Sequence, residues 1–159
     1  MVLGMPASVF IHVVLSLIGI GAGAIVLLGM FAGKRFDGLT ALFLATTVLT
    51  SVTGFFLPAH KILPSHVLGV LSLIALAIAL YARYSRKLAG GWNRTYAITA
   101  TIALYFNVFV LIAQLFMKVP AIKALAPTQS EPPFLVAQLV NMLLFIVLGI
   151  FAVKGFRNA

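Results

Sequence analysis

Apolar residues run along this chain in five long blocks separated by short polar or proline-bearing joints. The blocks are Ala7–Gly33, Leu39–Leu57, Ser65–Arg83, Tyr96–Met117 and Phe134–Val153. Each comes near the ~20 residues that an α-helix needs to cross a hydrocarbon layer ~30 Å thick. The joints carry turn and surface residues: Gly33 to Gly38 holds Lys34, Arg35 and Asp37, and Pro58 to Pro64 holds His60 and Lys61. The third joint is Tyr84 to Arg94. The fourth, Lys118 to Pro133, contains four prolines and is the one connection long enough to have a shape of its own. No second domain, coiled coil or low-complexity tail interrupts the pattern. It predicts one all-α domain over residues 1–159, an integral membrane bundle of five transmembrane helices.

Composition strengthens that expectation. Of 159 residues, 63% are apolar and 8% charged, with a mean hydropathy of +1.19. A soluble domain carries about 25% charged residues, so the apolar excess is expected to face lipid. The formal charge of +9 raises nucleic acid as a partner, but the cations sit in short clusters between apolar blocks and not along one face. That is the pattern of helix ends at a membrane surface, and no nucleic-acid partner is expected. The absence of cysteine excludes disulfides, Fe–S clusters and thiolate metal sites. Met1 to Phe10 lacks Lys and Arg, and the apolar run that follows exceeds the ~7–15-residue core of a signal peptide, so a retained first helix is expected.

Five crossings would place the N-terminus, the second joint and the fourth joint on one side. Those segments hold three cations, Lys61, Lys118 and Lys123. The opposite side holds eight: Lys34, Arg35, Arg83, Arg86, Lys87, Arg94, Lys154 and Arg157. The positive-inside rule then puts the N-terminus outside and the C-terminus in the cytoplasm. Tyr81, Tyr84, Trp92 and Tyr96 fall at the inner boundary, where an aromatic belt belongs. The sequon Asn93-Arg94-Thr95 faces the cytoplasm in this topology and reads as chance.

With that topology the scattered polar residues gather. His12, His60, His66, Glu131, Asn107, Gln114, Gln138 and Asn141 all fall from mid-membrane outward, which suggests an outer-leaflet pocket ringed by helices one, three, four and five. His12, Ser16, Gly19 and Gly23 share one helical face by their spacing. Small residues there admit a neighbouring helix or a flat cofactor. The run Thr46, Thr47, Thr50, Ser51 and Thr53 is expected to bond to carbonyls one turn back. The amides read first as hydrogen-bond glue between helices and only then as ligands.

Four chemistries fit these residues. Haem b could be held by His12 and His66, with Gly19, Gly23 and Gly69 making room, or a quinone-like redox partner could occupy the pocket. His12, His60, His66 and Glu131 could hold Zn or Cu. A histidine at the mouth of a polar vestibule could carry a proton, small solute or metal ion across the membrane. Lastly, the glycine notches and the proline-rich loop could bind another membrane protein or a second copy, making the chain an accessory subunit. Hydrolase, P-loop and dinucleotide signatures are missing.

The stretch Thr50-Ser51-Val52-Thr53-Gly54-Phe55-Phe56-Leu57, the helix start Ser65-His66-Val67-Leu68-Gly69 and Arg83 beyond it resemble small bacterial inner-membrane proteins with paired histidines. His12 in the first helix completes the likeness, which covers the chain up to about Lys87. It implies a bacterial cytoplasmic membrane and, through the paired histidines, a kinship with cytochrome b561-like proteins. It assigns no reaction.

Overall fold

A computed structural model describes residues 7–55, 64–128 and 131–156, with 64–66, 117 and 118 described by backbone alone. The chain forms α1 (Ala7–Phe31), α2 (Asp37–Gly54), α3 (Pro64–Leu80), α4 (Trp92–Lys118), a single turn α5 (Pro120–Lys123) and α6 (Pro132–Gly155). A π-helical turn, Tyr81–Ser85, extends α3. No strand occurs among the described residues.

Four of these helices are long and apolar enough to cross a membrane: α1, α3 with its π turn, α4 and α6. The second helix differs in character. It spans 18 residues, opens on Asp37 and carries a threonine run, so its polar content is higher than that of its neighbours.

The helices close into a ring. α1 packs on α2, α2 on α3, α3 on α4, α4 on α6 and α6 back on α1, while α4 also reaches α1 and α2 across the centre. Small residues set the close approaches. Ala75, Ala79 and Ala82 on α3 and Ala97, Ala100 and Ala103 on α4 are all buried where those helices pack, and the lack of bulk lets backbones come near one another. A Cβ on Gly23 would stand 2.8 Å from the Phe43 ring and 2.9 Å from Leu104. The exterior is correspondingly oily: α6 exposes Leu135, Val136, Leu139, Val140, Leu143 and Val147 among others.

Local sequence sets the ends. Gly33 takes a left-handed conformation (φ 72°), its N–H donates to Met30 O, and Lys34 N donates to Gly29 O. This paired closure ends α1 at Phe31, two residues before the end of the apolar block. Two prolines open α6, where the missing N–H groups cost nothing.

Candidate functional site

The α1–α2 hairpin runs antiparallel in a regular register. His12 meets Thr53, Gly19 meets Thr46 and Thr47, and Gly23 meets Phe43. His12 Nδ1 lies 3.0 Å from Thr53 Oγ1, and that hydroxyl donates 2.7 Å to Leu49 O. Since that hydroxyl hydrogen goes to Leu49 O, the Nδ1–H of the ring can donate to the Thr53 oxygen. Gly54 allows this approach: a Cβ there would stand 3.3 Å from His12 Cε1.

A polar layer lies further into the bundle. Thr47 Oγ1 and Asn107 Nδ2 sit 3.0 and 3.5 Å from the point where a Gly19 Cβ would be. Gln138 Nε2 donates 3.1 Å to Phe109 O, and Tyr105 stacks with Phe145 at 5.8 Å, so the antiparallel α4–α6 pair brings Asn141 level with Asn107. Gln138 and Asn141 are both buried. Four buried side-chain atoms in this layer have no hydrogen-bond partner within the protein: Thr47 Oγ1, Asn107 Nδ2, Gln138 Oε1 and Asn141 Nδ2. Each such group costs about 1–3 kcal/mol when left unsatisfied, and hydrocarbon offers no relief. Three can donate. The fourth, whose amide orientation follows from the Phe109 carbonyl it faces, accepts.

The expected site residues fall into three groups. His12, Asn107, Gln138 and Asn141 turn inward as expected, but α2 supplies Thr53 against His12 and, with Asn107 of α4, the residues that meet Gly19. Thr46, Thr50 and Thr53 bond to carbonyls one turn back, at 2.6 to 2.7 Å, whereas Ser51 instead reaches Ser72 across to α3 and Thr47 lacks a partner. Gln114 lies two turns beyond Asn107 along α4 and is half-buried. His60 lies outside the described residues, and His66 stands in the first turn of α3 with its side chain outside the description. The notches expected to admit a flat ring are occupied: Thr46 and Thr47 at Gly19, Phe43 and Leu104 at Gly23, and the Phe55 ring at Gly69, where a Cβ would meet it at 3.0 Å. Gly19 and Gly23 are buried inside the bundle, so they do not face an outside partner. The Glu131 carboxylate, just before α6, accepts from Thr128 N at 3.1 Å and from its hydroxyl at 2.6 Å. Among the described residues, no three His, Asp or Glu side chains stand together as a metal site.

A second polar cluster, at the opposite end, went unrecognised in the sequence. Arg83, taken there as a surface cation, is buried to 7% exposure in the π turn. It pairs with Asp37, donates 3.1 Å to Arg35 O and lies over the Tyr96 ring at 5.1 Å. Asp37 is the sole aspartate of the chain. A lone acid among eight cations at one end was the available signal, but spacing alone does not say which cation it holds. The arrangement ties α2, α3 and α4 together.

No family model, no curated protein and no solved structure matches the chain.

Proposed function

We propose that this chain is a five-crossing membrane protein, N-terminus outside and C-terminus cytoplasmic, whose interior polar layer binds a quinone-like ligand. The four unpartnered buried atoms of Thr47, Asn107, Gln138 and Asn141 carry this proposal. Quinone carbonyls accept hydrogen bonds, matching the amide N–H groups of Asn107 and Asn141 and the Thr47 hydroxyl. The quinol hydroxyl donates, matching Gln138 Oε1. His12, held by Thr53 two turns along α1 from Gly19, is the ionisable group suited to relay a proton toward such a ligand. Haem between His12 and His66 is less favoured, because Phe43 and Leu104 at Gly23 and the Phe55 ring at Gly69 fill notches a macrocycle would need, whereas the neighbours at Gly19 are the polar Thr46, Thr47 and Asn107. A bacterial cytoplasmic membrane is the setting implied by the resemblance of the first half of the chain, and the eight-to-three division of cations supports the orientation.

The test is the spectrum and solvent extract of protein purified in mild detergent. Expected is a bound quinone, seen as an ultraviolet difference on borohydride reduction, with short-chain quinone affinity falling about tenfold in Asn107→Leu or Asn141→Leu, one hydrogen bond's worth. An extract free of quinone together with unchanged affinity in both variants refutes it. A Soret band that sharpens on dithionite would replace the ligand with haem.

A further inference from the structure

Away from the polar layer, an apolar groove of about 500 Å³ opens between α4 and α6. That volume lies within the ~300–1,000 Å³ of small-molecule sites. Ile98 and Ile102 on α4 and Ile146 and Ile150 on α6 line it. Gly149 leaves room where another residue would project, and a Cβ there would touch only Thr101, at 3.4 Å. The groove ends at Arg94, three residues into α4, and Lys154, one residue before the end of α6, so both cations stand at the same, strongly basic end of the bundle. Both are exposed. The chain has two acidic side chains in all. Asp37 holds Arg83, and Glu131 begins α6 at the far end. No carboxylate side chain is therefore left to neutralise Arg94 and Lys154.

Two uncompensated cations at a helix-end boundary, above an apolar channel running into the bundle surface, are complementary to one kind of molecule. Its head is anionic and its tail is a hydrocarbon chain. We infer that the α4–α6 groove is a binding site for an anionic phospholipid, the phosphate seated on Arg94 and Lys154 and one acyl chain lying along the isoleucines. This site is separate from the polar layer and does not depend on what that layer binds. The basic end also faces the leaflet where anionic lipids concentrate if the topology proposed above holds.

The experiment counts lipids retained by the detergent-purified, delipidated protein under native mass spectrometry, titrated with dioleoyl phosphatidylglycerol or dioleoyl phosphatidylcholine. The wild type should retain one phosphatidylglycerol at least about tenfold more tightly than phosphatidylcholine, since each cation near an anionic head contributes roughly fivefold. The double change Arg94→Gln with Lys154→Gln, both exposed, should abolish that preference. Gly149→Leu, which fills the channel, should weaken retention of both lipids. The double change Arg86→Gln with Lys87→Gln, at the same end but outside the groove, should leave the preference intact. Equal retention of the two lipids by the wild type overturns the inference. So does an equal loss in the Arg86 and Lys87 control, which would mean that the attraction is diffuse.

Discussion

Thr47 and Arg83 show opposite fates of a polar residue in an apolar chain. Thr47 carries a buried hydroxyl without a partner in a helix whose other threonines bond to their own backbone. An apolar residue of the same shape removes that cost, so Thr47→Val should raise stability by about 1 kcal/mol in thermal unfolding while weakening quinone binding. Arg83 is the reverse case. Its guanidinium is buried and held by Asp37 and the Arg35 carbonyl, whereas the Asp37 side chain is 84% exposed. Arg83→Gln should therefore cost about 2–4 kcal/mol, through lost packing and a stranded carbonyl. Asp37→Asn should cost less, about 1–2 kcal/mol, because the buried guanidinium loses its counter-ion but the amide oxygen still accepts from it and solvent screens the exposed carboxylate. Equal losses for the two in detergent denaturation would contradict this ordering. In the sequence Asp37 and Arg83 look like ordinary boundary charges; burial separates them, and burial is a property of the assembled ring.

At the scale of helices, glycines that look alike in sequence have unlike surroundings. A Cβ on Gly155 would stand 2.3 Å from Phe31 O and 2.4 Å from Met30 O, where α6 ends against the last turn of α1. Backbone oxygens cannot swing aside as a side chain can. Gly155→Ala should lower stability by about 2–3 kcal/mol, at the upper end of overpacking costs. Gly21, with nothing within 4 Å, points away from every neighbour. Gly21→Ala should stabilise α1 by about 0.5–1 kcal/mol from helix propensity alone. Thermal midpoints of the two variants, measured side by side, check the contrast. The helices themselves were legible as apolar blocks, and the end of α1 is written in Gly33. Which notch receives which side chain was not. Phe43 filling Gly23 and Phe55 filling Gly69 follow from interhelical register, which no single helix encodes.

For the whole molecule, topology is directly testable, because a chain without cysteine is already a clean background for single-cysteine labelling. Ala32, Ala89 and Ala124 are exposed positions in the first, third and fourth connections. In intact cells an impermeant maleimide should label Ala124→Cys, and should reach Ala32→Cys and Ala89→Cys only after permeabilisation. Labelling of Ala32→Cys and Ala89→Cys from opposite sides would mean that α2 does not cross. Labelling of all three in the reverse sense would invert the proposed orientation.

The sequence by itself determined the all-helical build, the apolar exterior and the separation of a basic end from an amide-bearing one. These follow from local composition, since a segment of about twenty apolar residues must bond its own backbone wherever it lies in lipid. It also singled out His12, Asn107, Gln138 and Asn141 as inward-facing. Only the tertiary structure decided that α2 sets Thr53 against His12 and Thr46 and Thr47 against Gly19, that Arg83 closes on Asp37, and that a groove lies between α4 and α6. Those contacts join residues far apart in sequence, and their geometry is set by how five helices share one interior, not by the spacing of residues within any one of them.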